Sequence, residues 1–267
     1  RGYDSAGIAY IKNNDLVIKK EEGRISNLEK EIQKAKPESF IGIGHTRWAT
    51  HGGVTEANAH PHTDCSGNIA IVHNGIIENY REIVVEYGLQ NKIISETDSE
   101  VVAALLDMFY DGDPVAAIKK TVKILSGAFA LCIMFKDIPG KIFAIRNVSP
   151  MVATSCDKGS IIASDLTALV EFSREYFVVP EYHILTLSSE GIDIRTLKGE
   201  KVEPQMLSVN WDVKSAQKGG YPFFMLKEIY EQPDAIRNTV APRVSQGLPD
   251  FTTDGIDDAV FENCERV

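Results

Sequence analysis

Five of the six histidines fall between His45 and His73, and most of the residues equipped for chemistry fall with them. The stretch Gly42-Ile43-Gly44-His45-Thr46-Arg47-Trp48-Ala49-Thr50-His51-Gly52 begins as a strand and ends in a polar loop. An arginine at a strand end can grip a carboxylate through two parallel N–H bonds. Thr50 and His51 could donate to the same anion. The plainer alternative is an arginine bonded to backbone carbonyls beside a packed tryptophan, Trp48. A second stretch, His73-Asn74-Gly75-Ile76-Ile77-Glu78-Asn79-Tyr80, follows another apolar run. Asn-Gly commonly marks a tight hairpin turn. It also suits an oxyanion hole, in which the Asn74 amide and the unobstructed Gly75 N–H face one developing charge. Ser95-Glu96-Thr97-Asp98 reads either as a helix cap or as a source of a carboxylate for a substrate ammonium. An arginine, an aspartate and an oxyanion hole together describe a pocket for a small amino-acid amide.

His60-Pro61-His62, with His45, His51 and His73, raises the question of zinc. No HExxH or CxxC spacing accompanies them and separate loops supply the histidines, so no metal is expected. No GxSxG elbow is present. Cys65 lies in the polar loop Thr63-Asp64-Cys65-Ser66-Gly67, where nothing marks it as an activated nucleophile.

The elements that must carry these loops are mostly strands. Apolar runs at Gly7–Tyr10, Leu16–Lys19, Phe40–Thr46, Ile69–Asn74, Ala128–Phe135, Ile142–Arg146, Ser160–Ser164 and His183–Ser188 are bounded mainly by Gly, Pro, Asn or Asp. Helical spacing is found over Asn79–Tyr87 and Asp98–Tyr110, with a third helix expected over Pro114–Leu125. Asp98 or Thr97 is the expected cap of the second. Consecutive strands without strict alternation favour an α+β fold with mainly antiparallel sheets. Ala128–Phe135 is apolar on both faces, so its sheet should be covered on both sides. Trp211–Val267 is polar and rich in Gly and Pro, and reads as a linker and tail. A helix is possible over Phe223–Tyr230.

The chain has 267 residues and a net charge of −10, which argues against a nucleic-acid partner. Its longest apolar run is far short of the roughly 20 residues that cross a bilayer, so no membrane is expected. Four irregularly spaced cysteines suit free thiols in a reducing cytoplasm.

Arg1-Gly2-Tyr3-Asp4-Ser5-Ala6-Gly7, Gly44 to Gly52, Asn58-Ala59-His60-Pro61-His62, His73 to Tyr80 and Ser95-Glu96-Thr97-Asp98 closely resemble the glutamine–fructose-6-phosphate aminotransferase family. Its members are class II glutamine amidotransferases with an N-terminal nucleophile hydrolase fold. Gly219-Gly220-Tyr221-Pro222-Phe223 and the residues up to Pro233 look like the linker into that family's sugar-isomerase domain. The resemblance implies a four-layer αββα sandwich over residues 1–205, with 206–267 as the linker and the start of the isomerase domain. It implies hydrolysis of L-glutamine to L-glutamate and ammonia, which is passed to fructose 6-phosphate to form glucosamine 6-phosphate.

By the same resemblance, Arg47, Thr50 and His51 hold the substrate α-carboxylate. Asp98, with the Gly75 carbonyl, takes the α-ammonium. Asn74 and the Gly75 N–H stabilise the oxyanion. Arg1 steadies the surroundings of the nucleophile, and Trp48 stands beside the ammonia exit. No metal or organic cofactor is implied, and the full-length protein is expected to be a cytoplasmic homodimer. The family's nucleophile is an N-terminal cysteine upstream of the Arg1-Gly2-Tyr3-Asp4 motif, so this chain alone is expected to bind without turnover. The glutaminase domain of another class II amidotransferase, or a non-catalytic glutamine-binding module, are the alternatives.

Overall fold

In a computed structural model, which describes residues 4–48, 52–209, 219–256 and 259–260, the chain divides into two compact units, Arg1–Asn210 and Trp211–Val267. The first unit opens with a hairpin, β1 (Ser5–Lys12) and β2 (Asp15–Glu22), followed by helix α1 (Ile25–Ala35). Strand β3 (Gly42–Arg47) pairs with the free side of β1, giving a three-stranded sheet in the order β2-β1-β3.

The larger sheet is assembled from β4 (His62–Thr63), β5 (Ile69–Ile77), β6 (Gly127–Phe135), β7 (Ile142–Asn147), β11 (His183–Ser188) and β12 (Gly191–Thr196), in the order β12-β11-β7-β6-β5-β4. Between β7 and β11 come β8 (Val152–Cys156), β9 (Gly159–Ala163) and β10 (Glu175–Val178). With β13 (Leu207–Ser208) they form a third sheet, β13-β10-β8-β9. Every pairing is antiparallel.

Helices α2 (Tyr80–Glu86), α3 (Glu100–Phe109) and α4 (Pro114–Val122) lie between β5 and β6 in sequence. Their apolar residues pack on one face of the large sheet. Val101, Leu105, Leu106 and Ile118 meet Phe129, Leu131, Ile133 and Phe135 in one buried cluster. The opposite face of β6, through Ala130 and Met134, packs against residues of the two smaller sheets. β6 is therefore covered on both sides, as its unbroken apolar run requires. With α1 contacting β1 and β2, the layers run helix, sheet, sheet, helix: an α+β, four-layer αββα sandwich.

One contact between layers is unusually close. Gly7 in β1 lies so near the His60 carbonyl that a Cβ at position 7 would collide with it. Glycine is required there by space, not by dihedral angle.

The second unit holds one long helix, α5 (Phe224–Val240), then a short hairpin of β14 (Val244–Ser245) and β15 (Leu248–Pro249). Arg243 pairs with Asp254 through two hydrogen bonds of 2.7 Å. Helix α5 runs well past the expected Phe223–Tyr230 and contains Pro233. No helix among the described residues is long and apolar enough to cross a membrane.

Candidate active site

Asn74 and Gly75 do not form a hairpin turn. They lie inside β5, in register with Ala130 and Phe129 of β6. Gly75 has φ +133°, and a Cβ there would run into the Ala128 carbonyl oxygen. The turn signal thus marks a place where two strands approach too closely for any side chain.

Asp98 is not a helix cap either. Ser99 occupies the N-cap position of α3 and makes no side-chain cap bond. The Asp98 carboxylate instead accepts the Ile77 N–H at 2.6 Å, fastening the end of β5 to the turn before α3. Glu100, buried in the first turn, accepts from the backbone N–H groups of Ile94 and Ser95.

These displacements bring the residues together. One cavity of about 540 Å³ is lined by Arg47, Trp48, Asn74, Gly75 and Asp98 among others, His45, His60 and His73 included. Its volume suits a small metabolite. Arg47 is 5% exposed and donates to the Gly53 carbonyl at 3.0 Å. Burial lowers its guanidinium below the ordinary pKa, opposed by the carboxylates of Asp4, Asp98 and Glu96. Trp48 is largely exposed. Arg1, Thr50 and His51 lie outside the described residues.

Four imidazoles are packed together at the cavity, His45, His60 and His73 in its wall and His62 behind them. The His45 and His60 ring centroids are 4.2 Å apart and those of His60 and His62 are 4.5 Å apart. Ring nitrogens meet neighbours one by one: His45 with Asn74 Oδ1 at 2.7 Å, His62 with Thr97 Oγ1 at 3.0 Å, and His73 with Ser99 Oγ at 2.8 Å. Desolvation is the main cause of lowered pKa in all four. It takes His62 to about 3 and His73, despite the opposing charge of Asp98, to about 4. The cluster is therefore neutral at physiological pH. Among the described residues no group of three or more His, Cys, Asp or Glu is placed to hold a metal ion.

Known proteins share this arrangement of segments. Residues 45–171 match the glutamine amidotransferase domain family. Over its full length the chain is 43% identical to a glutamine–fructose-6-phosphate aminotransferase (isomerizing) of Symbiobacterium thermophilum and 43% identical to that of Thermotoga maritima. Residues 45–171 carry a glutamine amidotransferase domain, and the similarity to these relatives runs the whole length of the chain. The chain spans 44% of the length of each of those two relatives. Among solved structures, the glutamine phosphoribosylpyrophosphate amidotransferase of B. subtilis, complexed with ADP and GMP, matches with a TM-score of 0.63 at 22% identity, over 75% of this chain and 44% of that one. An allosteric regulatory enzyme of purine biosynthesis matches with a TM-score of 0.64 at 25% identity, over 73% of this chain and 43% of that one. These likenesses place the fold among the class II amidotransferases, of the N-terminal nucleophile hydrolase type.

Two supports of the site went unassigned in the sequence. Asn58 and Glu96 join the loop after β3 to the turn before α3. Asn58 Nδ2 donates to Glu96 Oε2 at 3.0 Å, the Glu96 N–H donates to Asn58 Oδ1 at 2.8 Å, and the Gly53 N–H donates to Glu96 Oε2 at 3.0 Å. The Gly53 backbone bond, then Asn58, hold the Glu96 carboxyl below its ordinary pKa. No local signal links residues so far apart. Only their place in the family's motifs hinted at a role.

Proposed function

We propose that this chain is the glutaminase domain of a glucosamine-6-phosphate-forming enzyme, hydrolysing glutamine to glutamate and ammonia for transfer to fructose 6-phosphate. The observation that carries the reading is one cavity lined by Arg47, Asn74, Gly75 and Asp98 together. A guanidinium and a carboxylate sharing one small cavity suit the two charged ends of a free amino acid. In this reading Arg47, with Thr50 and His51, holds the α-carboxylate. Asp98 and the Gly75 carbonyl hold the α-ammonium, which leaves the side-chain amide beside Asn74.

None of Cys65, Cys132 and Cys156 lines this cavity. On the resemblance to the family, attack is assigned to an N-terminal cysteine upstream of Arg1. Its sulfur adds to the carboxamide carbon, and the carbonyl oxygen becomes an oxyanion. The Asn74 amide and the Gly75 N–H donate to that oxygen, each worth on the order of 3 kcal/mol. The cysteine's own α-amino group takes the thiol proton and passes it to the leaving nitrogen, so collapse expels ammonia and leaves a glutamyl thioester; water then hydrolyses the thioester to glutamate and the free thiol. In this reading Trp48, at the exposed rim of the cavity, borders the ammonia exit, and Arg1 steadies the thiol. The second unit, α5 and the hairpin after it, belongs to the linker toward a sugar-isomerase domain. A cytoplasmic homodimer is the assembly proposed for the complete protein.

The test is calorimetric titration of the chain with L-glutamate. We expect measurable binding that Asp98→Asn abolishes. Asn is chosen over Ala because its side-chain oxygen still accepts the Ile77 N–H, so the fold is kept while the charge is lost. Unchanged affinity in Asp98→Asn would overturn the assignment of the ammonium site.

A further inference from the structure

The cavity contains a histidine to which the reaction above gives no part. His45 sits on β3, in the small sheet, and reaches across to Asn74 on β5, in the large one. Its Nε2 lies 2.7 Å from Asn74 Oδ1. A carboxamide oxygen only accepts, so the ring must donate and its proton stands on Nε2. The other nitrogen, Nδ1, is buried with no hydrogen-bond partner. The ring is wedged against His60, itself 5% exposed, and has little room to turn. Burial keeps His45 neutral, so it adds a directed N–H to the site without adding charge.

An asparagine side chain has two ends of opposite sense and nearly equal size. Rotated by half a turn, Asn74 would present Oδ1 instead of Nδ2 to the substrate, which would repel a developing oxyanion. Nothing in the asparagine itself selects the right end. We propose that His45 is a positioning residue: its Nε2–H claims Asn74 Oδ1 and thereby commits the amide NH₂ to the oxyanion. The inference rests on the oxyanion role given to Asn74 above, and it identifies the group that makes that role possible. The bond costs no binding energy for the substrate, because it is complete before the substrate arrives. Its value is realised only as charge develops on the substrate oxygen, and so it belongs to turnover.

The experiment is steady-state glutamine hydrolysis by the complete protein, with four variants: His45→Leu, His45→Gln, Asn74→Ala, and the double variant His45→Leu/Asn74→Ala. His45→Leu is expected to lower kcat by roughly 10- to 100-fold, somewhat less than removal of the donor itself. KM should stay within about twofold. His45→Gln, whose amide NH₂ can reach the same oxygen, should recover most of the loss. The double variant should be no slower than Asn74→Ala, because there is then no amide left to orient. Equal effects of His45→Leu in the two backgrounds would overturn the proposal, as would a change confined to KM. If Asn74→Ala is slow while His45→Leu runs at the normal rate, this inference fails and the oxyanion assignment survives. If Asn74→Ala runs at the normal rate, both fall. Should His45→Leu not fold, the ¹⁵N NMR spectrum of the unaltered protein decides: a proton on Nε2 of His45 is required, and a proton on Nδ1 refutes the proposal.

Discussion

At the scale of single residues, the site depends on atoms that are absent as much as on those present. Gly75 holds a φ that side chains rarely adopt, at a point where a Cβ would strike the β6 backbone. Gly75→Ala should therefore destabilise the chain by more than about 1 kcal/mol, visible as a lower Tm, and should misplace the neighbouring amide. Asn74→Ala removes no such constraint. In the complete protein it should lower kcat by roughly 10² to 10³ with KM nearly kept, as for loss of an oxyanion donor. Equal loss in kcat and affinity would point to a general collapse of the pocket. Residue types at this scale were legible in the sequence: an arginine, an aspartate and an Asn-Gly pair suggested an amino-acid pocket, and the four line one cavity. Their local geometry was not. Asn-Gly and Ser-x-x-Asp each carry a common structural meaning, turn and cap, and both meanings fail here because a distant partner overrides them: the Ala128 carbonyl for Gly75 and the Ile77 N–H for Asp98.

At the scale of elements, helix α3 anchors the site by being buried almost all round. Its residues Val101 to Leu106 are at most 2% exposed. Leu105→Ala should cost about 2–5 kcal/mol in chemical denaturation, since the helix is pressed against the sheet and cannot collapse into the void. Helix α4 shows the value of local chemistry instead. Asp113 accepts from the N–H groups of Val115 and Ala116, with Pro114 in the first turn. Asp113→Ala should cost about 1 kcal/mol, a smaller shift in the same assay. The expectations for α2 and α3 rested on spacing, and these two and the helix expected over Pro114–Leu125 were met within a few residues. Helix α1 was overlooked although Ile25, Leu28 and Ile32 recur at i, i+3 and i+7 among charged residues, a helical pattern that was there to be read. The sheet strands were recognisable as apolar runs, but their order was not: alternation says that a strand has an inner face, not which strand lies beside it.

For the whole molecule, the imidazoles at the cavity predict how the fold responds to acid. In the unfolded chain histidine titrates near its ordinary value of 6.5, whereas folded His62 and His73 titrate near 3 and 4. Between those values the unfolded state binds more protons, so stability falls as pH falls. It is fully present above about 6.5 and is lost progressively toward 4. Thermal melts from pH 7 down to about 4 should show a steep decline in Tm, and His62→Gln, which has nothing to protonate, should flatten it. An unchanged slope in that variant would remove His62 from the account.

The tight place at Gly7 gives one motif a second meaning. Gly7 closes the Arg1-Gly2-Tyr3-Asp4-Ser5-Ala6-Gly7 signature; it stands opposite His45 in the β1–β3 pairing and abuts the backbone carbonyl of His60. A single added methyl group would meet that carbonyl, displace the His60 ring packed on His45, and so disturb the bond from His45 to Asn74. What looks in the sequence like a chemical signature is, at its last letter, a matter of clearance: the small sheet passes the His60 carbonyl with no room for a side chain.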